Sequence, residues 1–384
     1  MNLTLNEEQR YLKDTARSFF REKAPVAALR KLRDSKDELG YSPELWREIV
    51  ELGWSGMLFP ETVNGIEIGG SGFGFKGLGA ILQESGHTLT ASPLLSSVVL
   101  GGSAILLGGS EAQQQAYLPD LISGEVRYAL ALEEGAHHDP AACAMTATPT
   151  ANGYRLSGRK TFVLDGHSAE RLIVVARTAG SAGERAGLSL FLVDADTAGI
   201  TRTRTPMIDS RAAADMHFDA VEVTREQVLG TADGGFALLE QVLDRGRICI
   251  AAEMLGSTRE LFDRTLAYLK ERQQFGVPIG SFQALQHRMA TVFTEIELAK
   301  STVLAALSAL DEDSNRVPLL ASLAKHKVSA VYELMSNEAV QLHGGIGVTD
   351  ALDIGLFLKR ARVAQQTFGD SAFHRRRFAR LCGY

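Results

Sequence analysis

ERQQFG, residues 271–276, closes a long apolar-periodic run, and QLHGGIGVTD, residues 341–350, closes another. An arginine at a helix end, three residues before a phenylalanine, suits a pyrophosphate clamp beside a stacking ring. Many helices end in Arg and Phe, so this stretch decides little alone. The second stretch adds to it: paired glycines let a backbone come close to a bulky group, and Gln341 can bond a polar edge. A helix-ending glycine pair is the plain alternative.

Both stretches lie in a C-terminal region of four long amphipathic segments, beginning at GGFALLEQVLDRGRICIAAE, FQALQHRMATVFTEIELAK, VPLLASLAKHKVSAVYELM and ALDIGLFLKRARVAQQTFGD. Short joins between long helices predict an antiparallel four-helix bundle over residues 233–384. Upstream the period changes. YALALEE, YRLSGRKTFV, RLIVVAR, LSLFLVDA and AADMHFDAVEV alternate or are β-branched, with turn signals at Asn152-Gly153 and Asp165-Gly166, which predicts a β-barrel or sandwich domain over 128–232. Residues 1–127 read as short helices cut by glycine-rich breaks such as ETVNGIEIGGSGFG. The fold class is α+β, with a helical N-terminal domain, a middle β domain and a C-terminal bundle.

The 384 residues carry a net charge of −6 and no long basic run, which excludes an electrostatic case for nucleic acid. The amphipathic start MNLTLNEEQRYLKDTARSFF does not read as a signal peptide, and no apolar run reaches spanning length. A cytoplasmic protein without membrane insertion is expected. GGSGFG lacks dinucleotide spacing, and P-loop, HExxH and GxSxG motifs are missing. Cys143, Cys249 and Cys382 form no framework, and Cys249 in ICIAA reads as core. His137-His138-Asp139 has no third distant ligand, so no metal is expected. Lys325 and Lys327, and Arg375-Arg376-Arg377, read as solvated charge clusters.

Taken in order, LNEEQRYLKDTARSFF, ELGWSGMLFPE, LLGGSEAQQQAYLPDLISGE, KTFVLDGHSAERLIVVART, YLKERQQFGVPIGSFQALQH and QLHGGIGV give the chain a resemblance to the acyl-CoA dehydrogenase family over nearly its whole length. The resemblance implies FAD between the β domain and the bundle, and a tetramer built on the bundles. It places Arg272, Phe275, Gln283, Gln341 and Gly345 on the diphosphate and adenosine of a neighbouring subunit's FAD. Ala131, Leu132 and Glu133, with Phe162, Val163 and Leu164, fall on strands flanking the flavin ring. The implied reaction removes an α-proton from an acyl-CoA thioester while hydride leaves the β-carbon for the flavin, and an electron-transfer flavoprotein or similar acceptor takes the electrons. That chemistry needs a carboxylate base and hydrogen bonds to the developing enolate.

Here the chain departs from the family pattern. Phe368-Gly369-Asp370 stands where Glu-Gly-Thr is usual, and the alternative base position, beside Arg247, is Gly246. His138, Gly246 and Phe368 fall on the substrate side, while Asp370 and Arg247 are the catalytic candidates. Asp370 also reads as a helix cap, Glu253 as a satisfied buried glutamate, and Asp244 as pointing away from the flavin. Leu132 and Leu164 each stand where the family has a threonine, so two ring-bonding hydroxyls are lost, and Phe162 replaces a tryptophan. Three readings follow. The chain dehydrogenates acyl-CoA as a subunit of a heteromer with another member of the family, it is a companion that only completes a partner's FAD site, or it is a flavin oxidase or monooxygenase.

Overall fold

The computed structural model describes residues 4–384. The helices α1 (Glu7–Lys23), α2 (Val26–Ser35) and α3 (Pro43–Glu51) come first, followed by a hairpin of β1 (Thr62–Val63) and β2 (Ile66–Glu67). Then come α4 (Phe75–His87), a π-helical stretch at Leu94–Gly101, α5 (Gly102–Gly108) and α6 (Glu111–Ile122). Local chemistry sets several starts. Asn6 with Gln9 and Ser110 with Gln113 form capping boxes on α1 and α6, and Ser42 caps α3 ahead of Pro43. The hairpin falls inside a stretch expected to be only a glycine-rich break. Asn64-Gly65, at φ +50° and +76°, makes the left-handed turn that matches strand twist.

The β region runs β3 (Tyr128–Ala131), β4 (Thr146–Pro149), β5 (Gly153–Leu164), β6 (Arg171–Arg177), β7 (Leu188–Asp194), β8 (Ile200–Pro206), β9 (Ala212–Thr224) and β10 (Val228–Leu229). These strands form one hydrogen-bonded ladder in the order β10-β7-β6-β4-β5-β9-β8, with β3 parallel to β6. Leu172 to Ala176 and Leu188 to Val193 are buried almost without alternation, as strands covered on both faces must be. Between β5 and β9 the register shifts twice, near Gly158 and between Lys160 and Val163, which bends the long strand.

Next come α7 (Gly235–Glu271), a second small hairpin of β11 (Gln273–Gln274) and β12 (Val277–Pro278), then α8 (Gln283–Asp311), α9 (Val317–His343), α10 (Ile354–Gln366) and α11 (Ser371–Leu381). The expected fourth bundle helix is thus two, broken at Thr367–Asp370. Phe368 at φ +59° and Gly369 at φ +108° cannot continue a helix, and Asp370 caps the next one.

By compactness the chain forms two units. One holds the residues up to Asp34, Phe75–Thr90 and Arg247–Tyr384; the other holds Ser35–Gly74 and Ala91–Gly246. In the first, α9 packs against α8, α10 and α11, and α4 against α1 and α8. Gly86 and Gly256 let α4 and α7 touch backbone to backbone: a Cβ on Gly86 would overlap the Glu253 carbonyl, and one on Gly256 that of Gln83. In the second, the sheet core is joined by the π-helical stretch, where Ser97 Oγ accepts from the Tyr128 amide at 3.1 Å. Among the described residues, no helix is long and apolar enough to cross a membrane.

Candidate active site

In the sheet unit, the register shift after Lys160 produces a local display. Phe162 adopts φ +52° and leaves its ring 46% exposed, while Val163 beside it is buried. A bulge re-aims one side chain in this way. Ala131 and Leu132 are buried at the end of β3, and the Glu133 carbonyl accepts from the Thr161 amide at 2.7 Å. Beneath them lies the fully buried Lys160, whose Nζ donates to the Leu132 carbonyl at 3.0 Å and to Glu134 Oε1 at 2.7 Å. Glu134 also accepts from the Ala144 and Met145 amides. Burial raises the Glu134 pKa, but Lys160 and these amides outweigh it and hold the carboxyl below its usual range. This pair ties the 132–134 segment to β5. A lysine in an alternating strand, GRKTFV, gave little sign of it.

His138 was expected on the substrate side. Its ring is only 4% exposed and bonds Glu133 through Nδ1, so in this structure it is packed against the strand end rather than open. Leu164, at the end of β5, is half-buried.

In the helical unit, the break at residues 367–370 is gripped by buried cations. Arg247 is fully buried on α7; its Nε donates to the Phe368 carbonyl at 3.3 Å, and its guanidinium lies 5.4 Å from the Phe373 ring centre. As placed, it serves the loop and has no solvent-facing surface with which to meet a substrate. Lys325 is also fully buried, against the expectation of a solvated cluster, and Arg377 is only 6% exposed with Nη1 donating to the Pro318 carbonyl. Lys327, two positions from Lys325, does reach outward to Glu295.

The carboxylates near this loop are engaged. Asp370 Oδ1 accepts from the Phe373 amide at 2.7 Å, so the capping reading of Asp370 describes its place better than the catalytic one. Glu253 is buried and paired with Arg360. Asp244 and Gly246 are buried within α7, and Phe368 is 8% exposed.

A third feature of the helical unit is an open edge. The Tyr268 ring stacks on His343 at 4.3 Å, which joins the C-terminal ends of α7 and α9. From there Arg272 leads into the hairpin, where Phe275 sits at φ +53° with its ring 89% exposed. Gln283, Gln341 and Gly345 are exposed as well, and a Cβ on Gly345 would meet nothing within 4 Å. An exposed guanidinium, an exposed ring and bare backbone suit an extended diphosphate-bearing ligand. No group of three or more metal-ligating side chains occurs among the described residues.

Comparison with known proteins identifies the family. The acyl-CoA dehydrogenase N-terminal, middle and C-terminal domain families match residues 6–125, 129–221 and 233–382. Subunit CarC of the caffeyl-CoA reductase-Etf complex of Acetobacterium woodii is 31% identical, with 93% of each chain covered. The solved structure of a Tcur3481-Tcur3483 steroid ACAD variant is similar at TM-score 0.87 and 32% identity, covering 99% of each chain. The ChsE4-ChsE5 complex from Mycobacterium tuberculosis is similar at TM-score 0.88 and 26% identity, covering 100% of this chain and 99% of that one. The chain therefore belongs to the acyl-CoA dehydrogenase family, whose chemistry is FAD-dependent dehydrogenation of acyl-CoA thioesters.

Proposed function

We infer that this chain takes part in α,β-dehydrogenation of an acyl-CoA as one subunit of a cytoplasmic heteromer, and that the base for the α-proton comes from another chain. The observation that carries this reading is the loop at 367–370. Its position 368 holds a buried phenylalanine, Asp370 is committed to capping α11, and Glu253 is committed to Arg360. A base must reach the proton it removes within hydrogen-bond distance, and these groups are engaged elsewhere.

The residues present fit FAD in kind. At the edge of the helical unit, Arg272 and Gln341 offer a cation and an amide for the diphosphate and adenosine of a neighbouring subunit's FAD, with the exposed Phe275 ring as a stacking face; in the sheet unit the exposed Phe162 ring offers a face to a flavin. Bound FAD supplies the hydride acceptor. Within the sheet unit, the chain's own part would be to present the 131–133 and 162–164 segments beside a flavin; within the helical unit, it would be to hold a neighbouring subunit's FAD at the Arg272 edge and to offer Phe368 at an acyl group. Two similar structures support the heteromer: the Tcur3481-Tcur3483 steroid ACAD variant and the ChsE4-ChsE5 complex. The Etf complex named for CarC supports an electron-transfer flavoprotein as acceptor.

The test compares this chain alone with the chain co-expressed with a family member that keeps a glutamate at the loop. Flavin absorbance per chain and its anaerobic bleaching by acyl-CoA are recorded for both. A flavin-poor, inert lone chain and a bleachable complex are expected. Full flavin and full bleaching in the lone chain would overturn the heteromer.

A further inference from the structure

The fully buried Lys325 ammonium has three donors, and three acceptors stand around it: the Gln365 carbonyl at 3.1 Å, the Gly369 carbonyl at 3.2 Å and Ser329 Oγ at 3.4 Å. Of these, the Gln365 carbonyl lies in the last turn of α10 and the Gly369 carbonyl on the turn between α10 and α11. A second carbonyl of that turn, at Phe368, takes Arg247 Nε at 3.3 Å. The Gln365 side chain adds a further tie, donating to the Ser329 carbonyl of α9 at 2.9 Å.

The turn makes a hydrogen bond of its own, from the Gly369 amide to the Gln366 carbonyl at 3.2 Å, yet its backbone is strained. Phe368 at φ +59° is in a region that costs a bulky residue, and Gly369 at φ +108° lies where only glycine is at ease. A Cβ on Gly369 would also crowd the Phe373 ring and His374 Nε2. Burying a lysine is costly, and an apolar side chain of similar length would fill the space at less expense. What the ammonium supplies and methionine does not is a set of donors aimed at the turn.

We propose that Lys325 is a positioning residue, which holds the 365–370 turn in its left-handed form and thereby sets the inward Phe368 side chain that closes the acyl side. The link to the acyl group rests on the dehydrogenase reading; the hold on the turn does not. The charged groups acting on Lys325 are Arg247 on α7, Arg360 on α10 and Asp370 at the start of α11; Glu253 of α7 is paired with Arg360, and His374 of α11 lies beside Gly369. Burial, then Arg247 and Arg360, lower the Lys325 pKa to about 7, with Asp370 opposing. Below that pH three donors face the three acceptors. Above it the neutral amine keeps two, and the grip on the turn weakens.

The test is amide hydrogen exchange across residues 365–373 of the full chain, without flavin or acyl-CoA, at pH 6 and pH 9, for the wild type and Lys325→Met. Amides in the middle of α8 serve as the reference for base-catalysed exchange. In the wild type, the turn is expected to lose protection at pH 9 beyond the α8 reference. In Lys325→Met it is expected to be unprotected at both pH values while α8 stays protected. Wild-type protection of the turn in Lys325→Met overturns the proposal. So does a wild-type turn that follows α8 at both pH values, and that comparison stands even if the variant does not fold. Because no flavin is read, failure here leaves the flavin-bleaching test of the dehydrogenase reading untouched.

Discussion

Arg360 holds Glu253 through two parallel hydrogen bonds, Nε to Oε1 at 2.9 Å and Nη2 to Oε2 at 3.0 Å, with each side chain only 6% exposed. Each charge is out of water, and each depends on the other. Removing one partner strands a buried charge at a cost of roughly 3–5 kcal/mol, whereas apolar replacement of both is close to neutral. Glu253→Leu alone is therefore expected to lower the denaturant midpoint sharply, and Glu253→Leu with Arg360→Met to recover most of it. If the single variant melts like the wild type, the pair is not the tie between α7 and α10 described above.

Much of the layout was legible because it rests on periodicity. The change from helical to alternating pattern near residue 128 and the long runs of the bundle are properties of many residues at once. Individual positions were harder. Lys325 lay hidden beside Lys327, yet Ala321, Lys325, Val328 and Tyr332 fall on one helical stripe, and all four are buried. The stripe was a signal that outweighed the charge. The break at 367–370 was masked by apolar spacing that runs on through it, although Gly369-Asp370-Ser371 is a stop followed by a cap. The Lys160–Glu134 pair joins β5 to the segment that follows β3, and such long-range pairing is not written in local pattern.

Arg272 and Phe275 allow function to be separated from stability. Both are exposed, and the Phe275 ring meets Phe282 edge-on at 6.0 Å. Arg272→Ala and Phe275→Ala are expected to change stability by no more than about 0.5 kcal/mol. Flavin bound per complex is expected to fall in both. Unchanged flavin content, measured by absorbance after gel filtration, would remove this edge from the cofactor's site.

Glu134 predicts an acid limb. Its carboxyl is held below the usual value of 4.5 in the fold. Below that pH the unfolded chain takes up the proton while the native pair does not, so the unfolded state binds more protons and stability falls as pH falls. The contribution is complete above 4.5 and is lost as pH drops through the native value. Glu134→Gln is expected to be less stable at neutral pH and to show a shallower decline under acid, read as unfolding free energy against pH. A parallel decline in the two proteins would count against the Lys160 pairing as its cause.

Phe368→Glu puts the reading of the loop to its most direct trial. The turn is gripped through backbone carbonyls by Arg247 and Lys325, so the side chain at 368 can change while the left-handed backbone is retained. A carboxylate there would be pushed up in pKa by burial and pulled down by the same cations, leaving it able to accept a proton. In the flavin-bearing complex, the variant is expected to bleach a larger share of the flavin with acyl-CoA than the wild type does, with a sigmoidal rise in rate as the new carboxylate ionises. An unchanged share, with flavin content and melting temperature intact, means that position 368 does not face the acyl group. The heteromer reading would then lose its structural ground, because the phenylalanine would no longer explain where a base is missing.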